Sequence, residues 1–119
     1  MAAIRSYRDL DVWKQGIEIC KEVYRLSRRL PRHEVFGLGG QMQRASVSIP
    51  SNIAEGHVKS TAQFRNHLST AMGSLAELET QLILASELYP QTAEAAQDLL
   101  GRCDALNRQI RTLLKRLPE

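Results

Sequence analysis

The sequence predicts an all-α protein, an antiparallel up-down-up-down four-helix bundle that forms a single domain over residues 1–119. Aromatic residues make up only 5% of the chain, whereas Ala, Leu, Gln, Glu and Arg are frequent and β-branched residues are scattered. Apolar residues recur at steps of three and four in four separate segments. The connections between these segments are short and polar, which is typical of helices that alternate in direction.

The first helix is predicted from about Asp9 to Leu30, and it carries two neighbouring apolar stripes. One stripe consists of Leu10, Trp13, Ile17, Cys20 and Tyr24, and the other of Ile19, Val23, Leu26 and Leu30. Because an apolar face this wide exceeds what one partner covers, we expect the first helix to contact two neighbours.

The second helix is predicted over residues 34–57, although Pro50 lies inside it. Its apolar face consists of Leu38, Met42, Ala45, Ile49 and Ile53. Pro50 cannot donate to the carbonyl of Ser46, and its ring crowds that turn at a cost of about 3 kcal/mol. Ser46 and Ser48 can cover freed carbonyls or bend the helix. Since the apolar residues stay in phase across Pro50, we predict one kinked helix rather than two helices joined by a loop.

Two polar residues, Asn52 and Glu55, follow on or beside the inner face of the predicted kinked helix. They can form a functional polar site, or they can bond backbone groups freed by Pro50 or fix contacts with another helix or subunit. The structural role is favoured because neither residue has a matched nucleophile or metal partner. We therefore assign Pro50, Asn52, Glu55 and Gly56 to a structural motif or subunit interface.

The third and fourth helices are predicted over residues 61–89 and from about Thr92 to Leu117. The seam of the third helix consists of Phe64, Leu68, Ala71, Leu75, Leu78, Leu82, Ala85 and Tyr89. The seam of the fourth consists of Leu99, Cys103, Leu106, Ile110, Leu113 and Leu117. Ser60 and Gln63 form a capping box before the third helix, Pro90 ends it, and Thr92 is expected to cap the fourth.

The N-terminal residues have no apolar signal region, and no window reaches the eighteen apolar residues of a membrane span. A cytoplasmic protein without membrane contact is expected. The two cysteines, Cys20 and Cys103, lie on apolar stripes, so buried reduced thiols are favoured over a disulfide.

Five short motifs resemble a known family. They are Tyr7, Asp9, Leu10, Val12 and Trp13 in F/Y-x-D-L-x-V-W; Phe36 to Leu38 in FGL; Gln41, Arg44 and Ala45 in Q-x-x-R-A; Ser48 to Gly56 in S-x-P-S-N-I-A-E-G; and Gly73 to Glu79 in G-S-L-x-E-L-E. Together they resemble the four-helix-bundle proteins encoded in intervening sequences of 23S ribosomal RNA genes, the S23 family. The resemblance covers nearly the whole chain.

The resemblance implies a small bundle that assembles with itself into a cyclic homopentamer. A related protein, the accessory variability determinant of diversity-generating retroelements, binds nucleic acid and a reverse transcriptase. RNA or DNA and a reverse transcriptase are therefore the partners that the resemblance implies. The net charge of +3 is lower than in the more basic retroelement relatives.

Charge is unevenly distributed along the chain. Residues 1–33 carry eight Lys or Arg against four acids, residues 60–100 one against five, and residues 101–119 five against two. In the predicted topology, the starts of the first and third helices and the end of the fourth share one end of the bundle. That end gathers Arg5, Arg8, Lys59, Arg65, Arg108, Arg111, Lys115 and Arg116.

A second cationic group, which includes Arg25 and Arg28, runs along the outer face of the first helix. Both groups can attract phosphates. They can also be ordinary solvated charges, because Glu18 and Glu22 lie within one turn of Lys21 and Arg25, and cations near a helix C-terminus complement its dipole.

Catalytic patterns are not found, and neither a cofactor nor a metal is expected. No Glu is followed by His at three places, the spacing that a di-iron bundle needs. The glycines of Gly37 to Gln41 follow no strand and precede no GK[ST], so they are expected to let the second helix approach a neighbour closely.

Three hypotheses remain. The first is a homo-oligomeric module that binds RNA or single-stranded DNA, with a possible role as accessory factor to a reverse transcriptase. The second is a ring-forming assembly protein that binds another polypeptide and no nucleic acid. The third, an enzyme, has the least support from the residues.

Overall fold

A computed structural model describes residues 4–118, so residues 1–3 and 119 of the predicted domain lie outside the described part. It contains four α-helices, α1 (Asp11–Ser27), α2 (Leu38–His57), α3 (Thr61–Leu88) and α4 (Ala93–Arg116). Short 3-10 helices at Tyr7–Asp9, Arg32–Glu34 and Pro90–Thr92 precede α1, α2 and α4. All regular structure within residues 4–118 is helical, and the predicted all-α fold class is confirmed.

Each helix packs against its neighbours in sequence, and α1 also packs against α4, which closes the bundle. In every neighbouring pair, rising residue numbers in one helix meet falling numbers in the next, so the two helices run antiparallel. The contacting pairs are Gly16–Pro50 and Ser27–Gln43, Ser48–Ser74 and Asn52–His67, and Ala85–Thr92 and Arg65–Leu117. The bundle is elongated, with extents of 44 × 25 × 21 Å.

The core is a column of aliphatic side chains that all four helices supply. Its fully buried members include Ile19, Leu26, Met42, Ile49, Ile53, Leu68, Leu75, Leu78, Leu82, Leu99, Leu106 and Ile110. These side chains belong to the apolar seams that the helical spacing predicts, and each large aliphatic side chain contributes roughly 1.5–3 kcal/mol when it leaves water.

The third and fourth helices match the prediction closely. The Ser60 hydroxyl accepts a hydrogen bond from the backbone amide of Gln63, and the Gln63 side-chain oxygen accepts one from the backbone amide of Ser60, so the capping box is present. Thr92 is not the predicted side-chain cap. Its buried hydroxyl instead donates to the carbonyls of Ala85 and Tyr89 and completes the last turn of α3.

The first helix begins two residues later than predicted and ends three residues earlier. Asp9 closes the preceding 3-10 turn with a capping box to Ser6, and Leu10 is extended, with φ −75° and ψ 129°. The chain leaves α1 after Ser27 because Pro31 disfavours helical backbone just before it.

The second helix begins four residues later than predicted, at Leu38. Glu34 lies in the preceding turn, where its carboxylate accepts from the Tyr89 hydroxyl at 2.5 Å and from the Leu38 backbone at 3.0 Å. These two hydrogen bonds, the one from Tyr89 first, lower the pKa of Glu34. One carboxylate therefore connects the start of α2 with the end of α3.

Pro50 lies inside one continuous α2, as predicted, and its ring faces α1. A Cβ built on Gly16 would lie 3.3 Å from Pro50 Cβ, so α1 and α2 come close together at this point. Ser46 donates from its hydroxyl to the carbonyl of Gln43 at 2.9 Å, one of the backbone contacts expected near the proline. The kink itself stays a prediction.

Candidate nucleic-acid interface

The eight cations predicted to share one end of the bundle come from the segments that the fold brings together there. Arg65 on the first turns of α3 donates to the carbonyls of Leu117 and Pro118, at 2.6 and 3.3 Å. Lys59 lies in the turn between α2 and α3. We call this set, Arg5, Arg8, Lys59, Arg65, Arg108, Arg111, Lys115 and Arg116, the basic end.

Some cations of the basic end already have a carboxylate or an aromatic ring as partner, and others do not. Lys59 pairs with Glu55 at 3.3 Å, and Arg108 pairs with Asp104 at 3.4 Å. The guanidinium of Arg8 lies 5.4 Å from the centroid of the Tyr7 ring. These are exposed contacts of the kind that contribute at most about 1 kcal/mol.

Three cations near the end of α4 remain without an ion pair among residues 4–118. They are Arg111, Lys115 and Arg116, and all three are exposed. Together with Arg5, which is also exposed and has no ion pair within the same residues, they are available to an external anion.

Carboxylates also reach the basic end. Asp9 and Asp11 line the same groove as Arg108 and Arg116. The backbone amide of Arg5, and then that of Ser6, donate to Asp9, and these bonds lower the pKa of Asp9. Asp9 is thus held in its ionised form, and the groove between α1 and α4 carries charges of both signs.

Arg25 and Arg28 lie apart from the basic end, on the rim of a groove between α1 and α2. We call it the α1–α2 groove; its volume is about 690 Å³. Its lining consists of Tyr7, Trp13, Ile17, Cys20, Lys21, Tyr24, Arg25, Arg28, Val47, Pro50, Ser51 and Ala54. The lining contains three cations and no carboxylate.

The groove exists because the two apolar stripes of α1 have different environments. Ile19, Val23 and Leu26 are buried in the core. The other stripe, apart from Leu10, lines the groove, with Tyr24 38% exposed. The ion pairs expected on this helix are present, since Glu18 pairs with Lys21 at 3.3 Å and Glu22 pairs with Arg25. Arg28 forms no ion pair within the described part of the chain.

Asn52 forms contacts within the subunit, between α2 and α3. Its Oδ1 accepts from His67 Nδ1 at 3.0 Å, and its Nδ2 donates to the Ser48 carbonyl at 2.8 Å. The Ser48 carbonyl is not the one that Pro50 frees, which belongs to Ser46. The side chain of Asn52 therefore connects α2 with another helix of the same chain.

Glu55 and Gly56 complete this contact at the end of α2. Glu55 pairs with Lys59, whose Nζ lies 3.3 Å from His67 Nε2. A Cβ built on Gly56 would lie 2.5 Å from His67 Cβ and 3.0 Å from Phe64 Cδ1. Only glycine allows α2 and α3 to approach this closely.

Sequence reasoning missed a second polar contact on the same side of the bundle. Ser48 and Ser74 share a hydrogen bond of 2.8 Å between α2 and α3.

Sequence reasoning also missed Gln81, which is buried and whose Oε1 has no hydrogen-bond partner within residues 4–118. Its position between Leu78 and Leu82, at the edge of the apolar seam of α3, could have indicated from the sequence that its side chain is buried.

Both cysteines are free thiols. Cys103 is buried, and that burial, followed by the nearby charge of Glu79, raises the pKa of its thiol to about 12. Cys20 is half-buried in the lining of the α1–α2 groove, and burial raises the pKa of its thiol as well.

Residues 4–118 contain neither a metal-binding cluster nor a membrane-spanning helix. No group of three or more His, Cys, Asp or Glu side chains is placed to hold a metal ion. None of the described helices combines the length and apolar character that crossing a membrane requires.

Comparison with known proteins identifies a matching family and a solved structure with a similar fold. A family model described as 23S rRNA-intervening sequence protein matches residues 8–112. A crystal structure of a protein of unknown function from the S23 ribosomal protein family of Bacteroides thetaiotaomicron matches with a TM-score of 0.79 at 24% sequence identity, and it covers 87% of this chain and 98% of its own. At that identity the likeness supports the fold alone. No curated protein matches the chain.

Proposed function

Because the chain belongs to the 23S rRNA-intervening sequence protein family, we propose that it acts as a non-enzymatic homopentameric bundle that binds RNA or single-stranded DNA. Binding uses the basic end, together with Arg25 and Arg28 on α1. A role as accessory factor to a reverse transcriptase, of the kind found in diversity-generating retroelements, is part of this proposal. So is the bend of α2 at Pro50, which would set the angle between its two halves.

One observation carries the nucleic-acid proposal. Arg111, Lys115 and Arg116 are exposed at the end of α4 and have no ion pair within residues 4–118. Phosphate contacts supply most of the affinity of non-specific nucleic-acid binding. A ring would repeat this cluster around its axis, so that a modest attraction per subunit adds up to a strong one.

The experiment is a titration of structured RNA at two salt concentrations, followed by fluorescence anisotropy. Replacing Arg108, Arg111 and Lys115 by Ala is expected to lower the salt slope of the logarithm of affinity by up to about three, since each lost phosphate contact removes just under one. The matched control replaces Arg32, Arg44 and Arg102 by Ala, which removes the same charge from exposed positions outside the basic end. Equal slopes for the two triple variants would refute binding at the basic end.

A second candidate function is a ring that binds another polypeptide and no nucleic acid. It is favoured by large exposed apolar side chains in the connection between α1 and α2, where Phe36 is 94% and Val35 56% exposed. Retention of a defined partner, such as a purified reverse transcriptase, after nuclease treatment would support this function. Loss of the partner on nuclease treatment would instead point to a nucleic-acid bridge.

A further inference from the structure

The α1–α2 groove holds an unusual share of the aromatic residues of this chain. The sequence has one Trp and three Tyr, and the Trp and two of the Tyr line this groove. Tyr7 and Trp13 meet edge to face, with ring centroids 5.5 Å apart and planes at 65°. Such contacts fix the orientation of both rings, so the groove offers a pre-arranged aromatic surface.

Cations follow the aromatic surface along α1. Lys21, Arg25 and Arg28 succeed one another at steps of four and three, which places them about one helical turn apart on one side of the groove. Tyr24 stands among them and is 38% exposed. The cations thus extend over roughly two turns of helix with Tyr24 among them, and Trp13 lies about two turns before Lys21 along α1.

The charges and aromatic rings of the lining indicate which class of ligand the groove can bind. The lining has no carboxylate, but Glu18 and Glu22 pair with Lys21 and Arg25 beside it. Arg28 is the lining cation without an ion pair within residues 4–118, and the Tyr24 ring beside it is 38% exposed. The groove between α1 and α4 differs, because Asp9 and Asp11 line it together with Arg108 and Arg116. An acidic chain with flat apolar groups fits the α1–α2 groove better than a neutral or basic one.

We infer that the α1–α2 groove binds single-stranded polynucleotide, with bases stacked on Trp13 and Tyr24 and phosphates facing Lys21, Arg25 and Arg28. This inference rests on the proposed function and specifies the form of strand that it concerns. Stacking on aromatic side chains requires unpaired bases and tolerates any base sequence. The groove therefore discriminates a single strand from a duplex and has little sequence preference.

Trp13 makes occupancy of the groove directly measurable, because it is the only tryptophan in the chain. The full chain is titrated with oligo(U) and oligo(dT) of about 15 nucleotides, within the range that one single-strand site covers. Anisotropy of the labelled oligonucleotide reports total binding, and Trp13 emission reports the groove. Single strands are expected to quench Trp13 in parallel with the anisotropy change, and a duplex of the same length to leave it bright.

Substitutions test the stacking and the phosphate contacts separately. Tyr24→Ala is expected to weaken single-strand binding about 5- to 150-fold, the range that loss of one stacked base represents. Gln97→Ala truncates an exposed side chain of α4 outside the groove and should change little. Arg25→Gln with Arg28→Gln should lower the salt slope by about 1.4, since each phosphate contact of a single strand contributes about 0.7. The pair Arg32→Gln and Arg102→Gln is the matched control, and circular dichroism verifies that every variant is folded.

Several outcomes would overturn the inference. If the oligonucleotide binds while Trp13 emission and the affinity of Tyr24→Ala stay unchanged, the groove is not the site, but binding at the basic end stands. Equal quenching by single strand and duplex would refute stacking. Trp13 emission that varies with protein concentration alone would show a second copy of the chain in the groove. Absence of any oligonucleotide or RNA binding would remove both this inference and the proposed function.

Discussion

Asn52 connects two helices through both ends of its amide. Its donor side holds the Ser48 carbonyl on α2, and its acceptor side holds His67 on α3. The second ring nitrogen of His67 faces the Lys59 ammonium, so the hydrogen bonds fit a ring that carries its proton on Nδ1. Residue type and spacing drew attention to Asn52, but its partner depends on the register between α2 and α3, which no local pattern contains.

Replacing Asn52 by Ala should lower the free energy of unfolding by about 1–2 kcal/mol relative to replacing Asn66 by Ala. Asn66 is exposed on α3, and both changes gain the same helix propensity, so the difference isolates the side-chain hydrogen bonds. Urea denaturation measures both variants. Equal stabilities would show that the contact between Asn52 and His67 contributes nothing to folding.

Cys103 makes stability depend on pH in the alkaline range. Burial raises the pKa of its thiol from the ordinary 9.0 to about 12, so the folded protein keeps a proton that the unfolded chain releases above pH 9. Stability therefore falls as pH rises through this range. Between pH 8 and pH 10 the wild type should lose about 1 kcal/mol more than Cys103→Ala, measured by urea unfolding at each pH. Parallel losses in the two proteins would contradict this assignment.

At the scale of elements, prediction succeeded where the signals were local. The bounds of α3 follow from the capping box at Ser60 and from Pro90, both of which act within one turn of the helix. The start of α2 was misplaced because Glu34 is held in a turn by Tyr89, which is 55 residues away in sequence. A contact between residues so far apart in the chain produces no periodic pattern in the sequence.

The glycines at the start of α2 also show what the sequence can and cannot predict. The sequence indicated that the glycines before Gln41 allow a close approach, and the structure identifies what approaches. A Cβ on Gly39 would lie 2.9 Å from the Glu34 carbonyl oxygen, and one on Gly40 would lie 2.8 Å from that of Val35. The approaching group is the connection that precedes α2, rather than another helix.

Gly56→Ala should destabilise the protein by about 1–3 kcal/mol, because the added methyl would overlap His67 and force α2 away from α3. Gly101→Ala is the matched control, since a Cβ there meets no heavy atom within 4 Å. That change should stabilise α4 by about 0.5–1 kcal/mol. Thermal and urea unfolding measure both, and a stabilised Gly56→Ala variant would refute the proposed close contact.

For the whole molecule, the order of the helices followed from short connections and alternating direction, and that order predicts which segments carry the basic end. The sequence was not sufficient to identify the α1–α2 groove. The second apolar stripe of α1 was visible, but whether α2 or solvent would face it depended on the close approach of Pro50 to Gly16. That approach is set by packing between helices.

Assembly is a property of the whole molecule that light scattering tests. The proposed homopentamer predicts the mass of five copies of the 13.4 kDa chain, and large apolar side chains such as Phe36, exposed on the single bundle, are available for contacts between copies. The mass should persist after nuclease treatment and at high salt, since apolar contacts resist both. A mass that falls to one copy under either condition would refute an assembly held by protein contacts alone.

The basic end is also where the described chain enters and leaves the bundle. Ile4 and Arg116 line one groove, and Leu117 and Pro118 lie beside Arg65. An affinity tag added at either end of the chain is therefore attached within a few residues of these cations. An acidic tag would neutralise the charge of the basic end, and a polyhistidine tag would add to it. A probe is better attached to a circularly permuted chain, whose new ends lie in a connection at the opposite end of the bundle.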